Sequence, residues 1–178
     1  MKFEQILVSK KAYESDDKYD LIQGIIDFVN HIRSQGIEPD QVNVDAVNSY
    51  FVDYYSTEFC NGAFSQFIHN SGATDFILDC VEEGLQKMSA TKNLAFFQKC
   101  RQLVTDLSEN ELSEFQASEY FGENKTRDKI DVYKWEFFDI KKEECIEDLH
   151  YEWLKNNKSV VALGSEDFIS EMNKIKVS

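Results

Sequence analysis

The sequence predicts an all-α fold, a single-domain helical bundle of about seven to eight helices over residues 1–178. Pro39 is the one proline, and only seven glycines punctuate 178 residues. That is too few breaks for a many-turned β fold. Apolar residues recur at spacings of three and four through most of the chain, the period of an amphipathic helix.

Taken in order, Ser15 before Asp16 and Asp17 supplies an N-cap with acids in the first turn. Tyr19, Ile22, Ile26, Val29 and Ile32 follow on one face, and Gly36 closes the helix. Residues 36–43, with Pro39, read as a linker. A second helix covers about 44–59, with Val47, Tyr50, Phe51, Tyr54 and Tyr55 as its apolar set. The Asn61-Gly62 step breaks it, since both residues tolerate left-handed backbone angles. A short helix over 63–70 carries Phe64, Phe67 and Ile68 and stops at Gly72. Thr74 caps a fourth helix over 74–88. A fifth spans 91–107, with Leu94, Phe97, Arg101 and Val104 along one line.

In the last third, 109–121 reads as helix and 122–127 as a polar loop. Residues 128–138 are ambiguous, because Ile130, Val132, Tyr133, Trp135 and Phe137 nearly alternate. Helix is preferred there, since a lone strand has no mate. Residues 141–156 read as one helix with Cys145, Leu149 and Trp153 on a stripe. Ser165, Glu166 and Asp167 open a last helix carrying Phe168, Ile169, Met172 and Ile175.

The net charge is −14 and the pI about 4.6. Phosphates and anionic lipid surfaces are repelled by such a chain, so direct nucleic-acid or membrane binding is not expected. Basic proteins remain as partners. The charge is uneven: from Ser34 to Gln86 there is no Lys or Arg, against nine acids. At 100° per residue, Asp75, Asp79, Glu82 and Glu83 fall on one side of the fourth helix, opposite Ile77, Val81, Gly84, Leu85 and Met88. They are expected to stand uncompensated within the helix, at a cost of a few tenths of a kcal/mol per like-charged pair, roughly. With Asp53 and Glu58 they form the candidate partner-binding face.

Four cysteines without a CxxC pair predict free, mostly buried thiols in a reducing compartment. The first eight residues are too short and too charged for a signal peptide, and no apolar run is long enough to span a membrane. The expected location is the cytoplasm.

No motif supports catalysis, and no metal or other cofactor is expected. Glu147 and His150 form one ExxH pattern, with Glu143 and Glu144 a turn earlier, where a di-iron site needs two. Cys60, His69 and Asn70 are residue types of a thiol nucleophile, base and orienter, but nothing flanking them supports that use. Ser65 does not lie in a nucleophile elbow, and no Gly-rich phosphate loop exists.

The run Asn61-Gly62-Ala63-Phe64-Ser65-Gln66-Phe67, followed by Asn70-Ser71-Gly72, resembles the acidic DNA-mimic protein family, catalogued as a bacterial domain of unknown function. The family pattern is close to Asn-Gly-Gly-Phe-Ser-Gln-Phe. Its next helix ends in Leu and a Gly-Ala turn, which here looks like Leu85 followed by Ser89-Ala90. The similarity covers about 45–156. Ala63 and Ser89 stand where the pattern has glycine, which is tolerable if the backbone angles there are ordinary. Phe64 and Phe67 are expected in the core, Gly62 and Gly72 in turns, and Gln66 and Asn70 on backbone groups at helix ends. The resemblance implies an all-helical, dimeric protein, and at least some members of the family use surface carboxylates in place of DNA phosphates to occupy a transcriptional regulator. The basic residues Lys125, Arg127, Lys129, Lys134, Lys141 and Lys142 leave 34–86 as the mimic face. The leading reading is thus a non-enzymatic acidic protein that occupies a basic DNA-binding protein. The alternative is a small-molecule or immunity-type protein-binding domain whose acidity is incidental.

Overall fold

The computed structural model describes residues 3–175. In chain order these form β1 (Ile6–Ser9), α1 (Lys10–Tyr13), α2 (Lys18–Ser34), a 3-10 turn (Pro39–Gln41), α3 (Val44–Ser71), α4 (Asp75–Lys87), α5 (Thr91–Thr105), α6 (Glu109–Ala117), α7 (Lys125–Ile130), α8 (Lys134–Glu143), α9 (Ile146–Lys155), β2 (Val160–Leu163) and α10 (Ser165–Lys174). The all-α class holds. The contacts divide the chain into two compact units, the described parts of Met1–Tyr50 with Glu147–Ser178, and Phe51–Ile146.

In the first unit α2 buries Leu21, Ile22, Ile25, Phe28, Val29 and Ile32. Its N-cap is Asp17, whose carboxylate accepts the Tyr19 N–H at 3.0 Å, rather than Ser15, which accepts the Asp17 N–H two residues earlier. At its end Gly36 has φ 74, its N–H donates to Arg33 O, and the Ile37 N–H donates to Ile32 O. That is the Schellman closure expected of a C-terminal glycine.

Two strands were not legible. β1 pairs with β2 in parallel, with Ile6 opposite Val160 and Ser9 opposite Leu163. Each is four residues long, and they lie about 150 positions apart in sequence, so neither has a visible mate. Ile6 and Val8 point into the core.

The second unit has an aromatic interior. The fully buried Tyr55 ring meets Phe59, Phe64, Phe67, Phe97 and Phe137 edge-on at centroid distances of 5.1–6.3 Å, and Phe59 stacks on Phe137 at 4.0 Å. Edge-to-face contacts of this kind add to the area that the rings bury. The 128–138 segment is helix, turn and helix. Its near-alternation arises because Ile130 and Phe137 are buried while Val132 and Trp135 face out.

The stretch 141–156 is not one helix. It breaks between α8 and α9, where Glu144 is in extended conformation (φ −142, ψ 96). Its carboxylate caps α5 by accepting the Lys92 and Asn93 N–H groups at 3.1 and 2.8 Å. Residues 122–127 are likewise not all loop. Asn124 caps α7 by accepting the Arg127 N–H at 3.0 Å. Among the thiols, Cys80 and Cys100 are buried, and burial pushes them up to about 11 and about 12. Cys60 is exposed, contrary to expectation, because Phe59 takes the inward position of that helical turn.

Candidate functional site

The 61–72 motif sits where α3 breaks. Gly62 (φ −159, ψ 26) and Ala63 (φ 67, ψ −170) are non-helical inside an otherwise continuous helix. The Ala63 angles lie in a region that is essentially glycine's alone. Ser89 has φ 58, and its N–H and that of Ala90 donate to Gln86 O and Leu85 O, a Schellman closure with serine in the glycine place. Both departures from the family pattern thus fall where backbone angles are not ordinary.

The break leaves the first N–H groups of the segment after it without helical partners, and Ala63 has no side chain to cap them. Asp131 does so from outside the helix. Its carboxylate accepts the Ser65 N–H at 2.9 Å and the Ser65 hydroxyl at 2.7 Å. Burial pushes the Asp131 carboxyl up, against these two hydrogen bonds, which hold it down. The Tyr120 hydroxyl lies 2.9 Å from Ser65 Oγ and donates to Gly62 O at 2.5 Å. Burial also raises this phenol, while the Ser65 contact acts the other way.

A Cβ at Gly62 would sit 1.9 Å from Gln66 Oε1, so a side chain there would displace the Gln66 amide from its present position. Gln66 and Asn70 do not bind backbone. Both amides donate to Glu58 Oε2, at 3.0 and 2.6 Å, so one carboxylate ties together the helix before the break and the helix after it. Glu58, a member of the expected acidic face, has one carboxylate oxygen engaged in this clamp. Phe64 and Phe67 are buried as expected, and Gly72 turns with φ 76.

On α4 the Thr74 hydroxyl accepts the Ile77 N–H, as a cap should. Leu78, Cys80, Val81, Gly84 and Leu85 are buried, while Asp75, Asp79 and Glu83 are exposed and Glu82 is half-buried. Asp53, on α3, is half-buried. The stripe is not uncompensated. Arg101 of α5 reaches Asp79 at 2.6 Å and Glu82 at 2.8 Å, and Gln98 adds a bond to Glu82 at 2.7 Å. Lys87, just beyond the run without Lys or Arg, stands four residues after Glu83, the spacing at which side chains meet on one helix face. Arg101 is legible as a base on α5, but its reach to α4 is a packing fact with no signal in the sequence.

The remaining candidates have other partners. His150 is buried, bonded to Ser49 Oγ at 2.7 Å, and burial lowers it to about 3; Glu147 is at the surface. Glu143 pairs with Lys92. His69 Nε2 lies 3.0 Å from Ser118 O, whereas Cys60 Sγ faces Lys141 Nζ at 3.5 Å. Asp131 and Tyr120, which organise the break, were missed, because 66 and 55 positions separate them from Ser65. Among the described residues no helix is long and apolar enough to cross a membrane.

Neither a curated protein nor a solved structure matches the chain. The model of one family, described as DMP19-like protein, matches residues 40–157. That span holds the broken helix, the α4 stripe and the Asp131 cap, and on it the chain belongs to the DMP19-like protein family.

Proposed function

We propose that this protein is a non-enzymatic interaction protein whose acidic α4 face occupies the DNA-binding surface of a basic protein in place of DNA. The observation that carries the reading is the 34–86 run, with nine acids and no Lys or Arg. Within it α4 presents Asp75, Asp79 and Glu83 on its exposed side. Carboxylates so placed attract Arg and Lys side chains that otherwise meet phosphates. Arg101 offsets part of that charge, so an incoming arginine competes with it for Asp79 and Glu82. The same reading includes a homodimer, which doubles the number of acidic faces.

The test is capture of proteins from the native lysate, in low and in moderate salt, followed by displacement with duplex DNA. The expected result is a basic DNA-binding protein that is lost as salt rises, since at about 0.1 M salt charges more than ~10 Å apart are screened, and that duplex DNA displaces. The double variant Asp75→Lys, Glu83→Lys should weaken its binding at least tenfold without loss of helix content. Salt-independent capture, or unchanged affinity in the double variant, would overturn the reading.

A further inference from the structure

Every residue of the 61–72 motif but one has a task in the fold. Phe64, Phe67 and Ile68 are core, Ser65 binds Asp131, and Gln66 and Asn70 bind Glu58. His69 is on Ser118 O, Ser71 Oγ accepts the Ala73 N–H, Gly62 and Ala63 make the break, and Gly72 makes the final turn. Asn61 is exposed, and its amide makes no hydrogen bond among the described residues.

Asn61 lines a cleft of about 570 Å³ at the break in α3, together with Phe59, Ala63, Lys134, Trp135 and Phe138. That volume is in the range of small-molecule sites, roughly 300–1,000 Å³. Trp135 is 72% exposed and Phe138 38%, with their rings 6.1 Å apart and tilted. An uncovered tryptophan beside a second ring is apolar area available to a ligand.

The polar groups of the cleft are unevenly spent. Asp131 is held by Ser65, and Asp128 is paired with Arg127, which also donates to Tyr120 O. Lys134 has no carboxylate within ion-pair distance among the described residues; its ammonium lies 5.4 Å from the Trp135 ring. Asp128 and Asp131 balance Arg127 and Lys134 in charge, and Lys134 acts on Asp131 at a distance, so the cleft is near neutral and its hydrogen-bonding groups left without a direct partner are the Lys134 ammonium and the Asn61 amide. A bare anion would have to enter the field of a chain of charge −14, so a ligand that fits must bring apolar area along with its acceptor.

We propose that this cleft binds a small aromatic carboxylate, its ring against Trp135 and Phe138 and its carboxylate accepting from Lys134 Nζ and Asn61 Nδ2. The site is separate from the α4 stripe and does not rest on DNA mimicry.

The test titrates the full chain with 2-naphthoate, by calorimetry and by amide NMR shifts. Saturable one-to-one binding is expected, with shifts centred on residues 59–63 and 134–138. Lys134→Ala, Asn61→Ala and Trp135→Ala should each raise Kd about tenfold, as loss of one charge-assisted bond or one stacking surface does, while Lys129→Ala leaves it unchanged. All four positions are exposed, and thermal melts confirm that each variant folds. No saturable binding, equal affinity in the Lys134 and Asn61 variants, or shifts centred elsewhere would overturn the proposal.

Discussion

At the scale of single residues, the two substitutions that depart from the family pattern carry the clearest energetic signature. Ala63 holds φ 67 with ψ −170, and Ser89 holds φ 58. A residue with a Cβ in such a conformation costs about 1–3 kcal/mol. Glycine removes that cost but loses roughly 0.5–1 kcal/mol through the greater freedom of the unfolded chain. Ala63→Gly should thus stabilise by about 1 kcal/mol and Ser89→Gly by somewhat less, raising Tm by about 2–4 °C for the former. Thermal melts of the two single variants and the double variant check this. The sites are separate, so the gains should add. A fall in Tm for Ala63→Gly would mean that the alanine methyl makes a packing contact worth more than the strain.

Among the elements, what could be read from sequence depended on how far apart the determining residues lie. The Thr74 cap, the Gly36 closure and the break at Asn61-Gly62 are local, and all three are where the pattern puts them. The paired strands, the Glu144 cap on α5 and the Arg101 bridge to α4 join residues from 19 to more than 150 positions apart, and periodicity carries no trace of such contacts. The candidate site divides the same way. The acids of α4 were legible as a stripe but their neutralisation was not; the motif was legible as a break but its cap was not. That cap also makes a prediction for an element. Asp131→Ala leaves the Ser65 N–H and hydroxyl, both in a fully buried residue, without their carboxylate. The hydroxyl keeps the Tyr120 hydroxyl within reach, so the loss is chiefly that of the buried N–H left unpaired, about 1–3 kcal/mol. Amide exchange in residues 64–71 should accelerate accordingly, whereas exchange in the first turns of α3 should not. Equal acceleration on both sides of the break would show that Asp131 acts on the whole helix rather than on its second segment.

For the whole molecule the governing variable is pH. The His150 ring is buried and lowered to about 3, so the folded chain resists a proton that the unfolded chain accepts near 6.5. Between those values the unfolded state binds more protons, and stability falls as pH falls, by about 1.4 kcal/mol per unit. Glu111 acts in the same direction but later. The Lys129 hydrogen bond, helped by Ser108, holds it at about 2, so the stability it adds is present above the ordinary carboxylate range near 4.5 and is lost as pH falls toward 2. Asp131, raised by burial, opposes both. Glu111 titrates below the interval from pH 6.5 to 5, where His150 dominates, with a loss of up to about 2 kcal/mol at pH 5 relative to pH 7. The two tryptophans make this measurable unit by unit, because Trp153 lies in the first unit beside His150 and Trp135 in the second. In a Trp135→Phe background, urea unfolding followed by Trp153 fluorescence should show that loss between pH 7 and pH 5. His150→Gln should flatten the slope whatever its effect on absolute stability. A slope that survives His150→Gln would assign the acid sensitivity to the carboxylates instead.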